Sequence, residues 1–202
     1  MMKKTKHWLG LLCVMAAPAQ ADGQGDYDWQ AFSIGLSHAS VSDQYRNWGV
    51  NATYEFSKSI NDDWFWTGEI SGPIYQQGRF IEQALYGDVG LGRHWAINDR
   101  SDIYLGLSYF KAIDTSLRND FDYLRLKGGS KTALTERIDL ITEWSYNHVS
   151  NEPDPINGHD FRALAPLDRF EFEAYGVFET KWRWQFLTGI STHRGLFFGF
   201  TF

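Results

Sequence analysis

The sequence predicts an all-β protein: an antiparallel up-and-down transmembrane β-barrel of about ten strands, with eight as the alternative count. Three observations carry this. Residues 1–21 have the form of a cleaved export signal, and the rest of the chain alternates apolar and polar residues with a period of two. The chain also ends Phe198-Gly199-Phe200-Thr201-Phe202, with a phenylalanine closing the apolar face of the last strand.

The signal is read from Lys3, Lys4 and Lys6 ahead of an apolar run from Trp8 to Ala17, too short to cross a bilayer as a helix. Ala19-Gln20-Ala21 supplies the small-x-small pattern of a peptidase site, so the mature barrel is expected to occupy 22–202. Cys13 follows the bulky Leu12, where a lipoprotein peptidase needs a small residue, which argues against lipidation. It is also the sole cysteine, so the mature part can build neither a disulfide framework nor a thiolate metal site. Of the 19 lysines and arginines three belong to the signal, leaving sixteen against 25 acids, and this acidic balance argues against nucleic acid as a partner. Aromatic residues make up 17% of the chain, suited to a wall that is aromatic on one face and polar on the other.

The strands follow in order. Phe32, Ile34 and Leu36 alternate with Ser33, Gly35 and Ser37. Trp48, Val50, Ala52, Tyr54 and Phe56 alternate with Asn51, Thr53 and Glu55; Trp64, Trp66 and Ile70 with Thr67, Glu69 and Ser71. The fourth and fifth set Leu85, Val89, Leu91 and Trp95 against Asp88, Gly90 and His94, then Ile103, Leu105, Leu107 and Tyr109 against Tyr104, Gly106 and Ser108. The sixth sets Leu124 and Leu126 against Arg125, Lys127 and Lys131, and the seventh sets Ile138, Leu140, Trp144 and Tyr146 against Asp139, Glu143 and Asn147. The last three set Phe170, Phe172 and Phe178 against Glu171 and Glu173, Trp182, Trp184, Phe186 and Ile190 against Arg183 and Gln185, and Leu196, Phe198, Phe200 and Phe202 against Gly199 and Thr201. Polar turns at 57–63, 98–101, 135–137 and 179–181 fall on one side, and five loops fall on the other. The longest loop, 150–167, carries three prolines and acidic residues. A soluble sandwich would turn the aromatic face into a core; the export signal and the terminal Phe202 favour the membrane instead.

Charges on the inward face are the first candidate site: Glu69, Asp88, Glu143, Glu171 and Glu173 with Arg125, Lys127, Lys131 and Arg183. In a narrow bore such charges form either a paired plug or a conducting path lined by both signs. The histidines His38, His94 and His193 lack metal-site spacing, and no metal or cofactor is expected. Gly87-Asp88-Val89-Gly90-Leu91-Gly92 has no helix after it, so its glycines are expected to relieve crowding and not to hold a nucleotide. Arg46, Arg79, Lys111, Arg118, Arg162 and Arg194 are placed at the outer rim, where guanidinium groups would meet lipopolysaccharide phosphates.

Two resemblances add to this. His148-Val149-Ser150-Asn151, with Asp160 beyond, resembles the His-x-Ser-Asn segment of the lipid A deacylase family exemplified by PagL. It implies a Ser150 nucleophile, a His148 base and an Asp160 that orients it. Here the acid stands two positions early and is Asp in place of Glu, and three strands follow where that family has nearly ended. Gly129-Ser130-Lys131-Thr132-Ala133-Leu134-Thr135-Glu136-Arg137-Ile138-Asp139-Leu140 resembles the Gly-x-x-x-x-Leu-Thr hairpin of small proteobacterial outer-membrane β-barrels, porin-like or OmpX-like proteins. That resemblance implies outer-membrane residence with both termini periplasmic, outer-membrane lipids and lipopolysaccharide as neighbours, and Phe202 as the signal for the assembly machinery. The expected function is a non-enzymatic barrel serving envelope integrity or surface interaction through its loops. The alternatives are a lipid A or phospholipid acyl hydrolase and a narrow small-solute pore.

Overall fold

Among the described residues ten antiparallel strands form a barrel, and the closure is complete because the first pairs with the last. In a computed structural model that describes residues 27–42, 45–77, 84–115, 122–149, 170–181, 184–192 and 194–202, they are β1 (Trp29–Ser42), β2 (Tyr45–Ser59), β3 (Trp64–Gln77), β4 (Ala84–Asn98) and β5 (Ser101–Thr115), followed by β6 (Asp122–Thr135), β7 (Ile138–Val149), β8 (Phe170–Glu179), β9 (Gln185–Ser191) and β10 (Gly195–Thr201). The count is ten and not eight. The signal expected at 1–21 lies outside the described residues.

The turns form where the sequence supplies side chains that cap their own backbone. Asn61 Oδ1 accepts the N–H groups of Asp63 and Trp64, both at 3.0 Å; Asn98 Oδ1 accepts that of Arg100 at 2.9 Å, and Thr135 Oγ1 that of Arg137 at 3.2 Å. The β8–β9 connection differs from expectation. Trp184 was expected within the ninth strand, but Thr180 N–H bonds Trp184 O at 2.8 Å and Trp184 N–H bonds Thr180 Oγ1 at 3.2 Å, so the turn absorbs it and β9 begins at Gln185.

Period two divides the wall into faces as the alternation predicts. Val89, Leu107 and Phe198 are 54%, 54% and 65% exposed on the outside, within a continuous apolar belt that also holds Trp66, Trp144 and Ile190. A band of that extent suits hydrocarbon and not water, which makes the fold a transmembrane one. Closure at the seam sets Phe32 opposite Phe200 and Ile34 opposite Phe198, and Phe202 N–H bonds Gln30 O at 2.9 Å.

The interior is less purely polar than the alternation suggests. Phe65, Phe110, Tyr123 and Phe197 are buried in the lumen. Trp64-Phe65, Tyr109-Phe110 and Phe197-Phe198 are adjacent pairs, and a strand must send one member of any adjacent pair inward. A glycine makes room for one of these rings. A Cβ on Gly92 would lie 2.3 Å from the Phe65 ring, so only glycine fits beneath it.

The rim is uneven. Strands β9 and β10 have 7 residues each, against 14 in β1, and β1 runs on from Ser37 to Ser42 beyond its register with β10. The wall is therefore low where the β9–β10 turn sits.

Candidate functional site

Strand register assembles a belt of charge around the lumen. Glu69 faces Asp88 across β3–β4, Ser108 faces Arg125 across β5–β6, Arg125 faces Asn147 across β6–β7, and Ser145 faces Glu171 across β7–β8. Each is an inward position, so sequence spacing alone turns scattered polar residues into a ring.

Arg125 is the centre of one half. Its guanidinium lies 3.3 Å from Asp88, 3.6 Å from Glu69 and 3.2 Å from Glu171. It also donates to Asn147 Oδ1 at 3.0 Å and to the Tyr123 hydroxyl at 2.9 Å. Phe110 and Tyr123 stack with centroids 4.3 Å apart, and the guanidinium lies 5.1 Å and 5.5 Å from their rings. Lys127 joins from the same strand at 3.3 Å from Asp88, and Ser108 donates to that carboxylate at 2.9 Å.

Arg194 is the centre of the other half, and its position corrects the sequence reading. Expected at the outer rim against lipopolysaccharide, it is 5% exposed inside the lumen. Its guanidinium grips Glu173 with two nitrogens, lies 2.6 Å from Glu55, donates to Ser33 Oγ at 3.2 Å and rests 4.4 Å from the Phe197 ring. The cause is the low wall: the β9–β10 turn is near belt level, Arg194 N–H bonds Ser191 Oγ at 3.1 Å, and Gly195 takes a φ of 64° that suits glycine, turning the chain so the long side chain folds inward.

Between this belt and the turn end, the side chains leave a chamber of about 340 Å³. Asp99, Arg100, Glu136 and Arg137 of the turns stand at its mouth, and Glu55, Glu69, Lys127 and Glu173 at its floor. One wall is aromatic: Tyr27 stacks on Phe65 at 4.4 Å and on His94 at 4.4 Å, and Tyr104 meets Tyr27 edge-on at 6.0 Å. Tyr104 donates its hydroxyl proton to Glu143 at 2.5 Å. At the mouth Asp28 is bonded by Lys58 and by Ser59 N–H; slight burial acts to raise its carboxyl pKa, but these bonds outweigh it and hold it below the usual range.

Of the expected lumen residues, Glu69, Asp88, Arg125, Lys127 and Glu171 come together, and Glu143 and Glu173 line the chamber. Lys131 also lines the chamber, away from the belt and 3.7 Å from Asp139, and Arg183 lies outside the described residues. Glu55 shares the polar face by alternation, but no spacing in the sequence links it to Arg194. The hydrolase residues are not assembled by anything described: His148 is on the outer, exposed side of β7 opposite Leu124, while Ser150 and Asp160 lie outside the described residues. Arg79, Arg118 and Arg162 lie outside them too; Arg46 pairs with Ser40 in β2, without a described side chain. Among the described residues no three His, Cys, Asp or Glu side chains are grouped to hold a metal ion.

No protein-family model and no curated protein matches the chain. Among solved structures it is similar to the KdgM porin in complex with disordered oligogalacturonate, at 9% sequence identity and a TM-score of 0.40, covering 86% of this chain and 95% of that one. The barrel assignment rests on the strand pairing itself.

Proposed function

We propose that the protein is an integral outer-membrane channel, a narrow pore for small solutes that prefers cations and is shut at its belt in the conformation described. The supporting observation is the chamber of about 340 Å³ reaching from the turn end to the belt. A lumen serving only as a plug has no use for such a space, and a ten-stranded bore is narrow enough for side chains to close it throughout. At the belt six carboxylates (Glu55, Glu69, Asp88, Glu143, Glu171 and Glu173) face three basic groups (Arg125, Lys127 and Arg194). In a low-dielectric tube an excess of one sign selects the counter-ion. The same excess repels a polyanion, so an oligogalacturonate, the ligand in the KdgM complex, is not the solute this lumen favours.

In this reading the export signal is removed, both termini and the chamber mouth face the periplasm, and Phe202 serves assembly. Proteoliposomes loaded with the refolded barrel test the function. Uptake of small organic cations should exceed that of size-matched anions, and equal uptake of both, or none above protein-free vesicles, contradicts it.

A further inference from the structure

The chamber has the chemistry of a binding site as well as of a passage. Its lining carries ten carboxylates against four basic groups, and aromatic side chains Tyr27, Trp29, Phe65, Tyr104 and Tyr175 stand among them. Charge excess alone would draw any cation. Aromatic faces add an attraction for cations with an apolar shell, because the negative face of the ring meets a charge that has little hydration to lose.

A second observation points to a ligand. Asp102 lines the chamber while only 5% exposed, and among the described residues its Oδ1 has no hydrogen-bond partner; its other oxygen is 4.0 Å from His94 Nδ1, which has none among them either. The Tyr27 hydroxyl, in the same wall and on a residue 6% exposed, likewise has no partner among the described residues. Buried polar atoms are almost always satisfied, and leaving several unsatisfied in one wall costs stability that folding alone does not recover. A polar or charged group entering the chamber that bonded to them would recover that cost.

We infer that the turn-end chamber is a binding site for a small organic ammonium ion, seated against Tyr27, Phe65 and Tyr104, with Asp102 and Glu143 as its counter-charges. Glu143 is placed for this by Tyr104, whose hydroxyl holds one carboxylate oxygen at 2.5 Å, and by its inward position on β7. An alkylammonium headgroup would present its methyl shell to the rings and its hydroxyl or N–H groups to the polar wall. The inference takes the route of arrival from the channel reading, but binding itself does not depend on conduction.

Calorimetric titration of the refolded barrel in octyl glucoside micelles, with choline chloride and with its uncharged isostere 3,3-dimethyl-1-butanol, tests the inference. Saturable binding of choline is expected, with the alcohol bound on the order of tenfold more weakly. Asp102→Asn and Glu143→Gln should each weaken choline binding by about tenfold and leave the alcohol unaffected, since both keep the shape of the wall. Folding of each variant is checked by the heat-dependent shift in electrophoretic mobility. Absence of choline binding, equal binding of the two compounds, or choline binding unchanged in both folded variants overturns the proposal. Choline binding by a barrel that transports nothing would leave the site standing and remove the channel; transport without choline binding would do the reverse.

Discussion

Arg194 and Ser33 stand 161 positions apart in the chain, yet the guanidinium donates to the serine hydroxyl at 3.2 Å. This bond crosses the seam where the first and last strands close the barrel, and the same side chain reaches Glu55 on β2 and Glu173 on β8. A residue from a turn thus holds together strands from both ends of the chain, at the level of the charged belt. Because it comes from a connection, it can leave the lumen without breaking a strand ladder.

Arg194→Ala should therefore do two things. Removing the guanidinium strands Glu55 and Glu173 without their partner, and losing one member of a buried ion pair costs about 3–5 kcal/mol. Urea unfolding followed by tryptophan fluorescence should show a loss of this order. Bilayer recordings of the surviving folded barrel should show a severalfold higher conductance with sharper cation preference, since the obstruction and a positive charge go together. A destabilised barrel with unchanged conductance would mean that Arg194 is a staple and not a gate.

Arg125 should behave differently, because it arises from a strand and is packed between rings and carboxylates. Arg125→Met leaves Asp88, Glu69 and Glu171 facing one another, and a loss of roughly 3–5 kcal/mol is expected. Adding Asp88→Asn and Glu171→Gln to Arg125→Met should restore much of it, since the carboxylates no longer need a counter-charge. Additive losses in the triple variant would show that the belt is not an electrostatic unit.

Gly92→Ala tests the packing behind the chamber's aromatic wall. The new methyl would stand 2.3 Å from the Phe65 ring, which Tyr27 pins from its stacked position 4.4 Å away. Overpacking of this kind costs about 1–3 kcal/mol. Phe65→Leu introduced beside it should recover most of the loss in the same unfolding assay, whereas Phe65→Leu alone should destabilise.

The channel account assigns no chemistry to His148 and Ser150. Mass spectra of lipid A from cells expressing the wild type and Ser150→Ala should show the same acylation. A chain shortened only by the wild type would identify a hydrolase and displace the channel reading.

Much of the fold was legible because period two is enforced at every strand residue. Placing Val50, Ala52 and Tyr54 on one face and Thr53 and Glu55 on the other needs no tertiary information, and Asn61, Asn98 and Thr135 mark turns by capping their own backbone. The belt was partly legible for the same reason, since Glu69, Asp88 and Arg125 lie on the polar parity. Arg194 was not, because alternation assigns no face to a turn, and its inward fold depends on the length difference between β1 and β10. Alternation starts the ninth strand before Gln185 because the indoles of 182 and 184 keep period two, whereas the Thr180–Trp184 bonds close the turn. The inner aromatics Phe65, Phe110 and Phe197 were hidden beside an outward neighbour of the same kind. Adjacent aromatic pairs are the signal that would have revealed them.

In the proposed function the lumen is a cation-preferring path closed at one belt. Its most direct test is the reversal potential of the refolded barrel, wild type and Arg194→Ala, in a planar bilayer under a potassium chloride gradient. It predicts a small wild-type conductance, a larger one in the variant, and a reversal potential displaced toward that of potassium in both. Silence in both, or a displacement toward chloride, would contradict it.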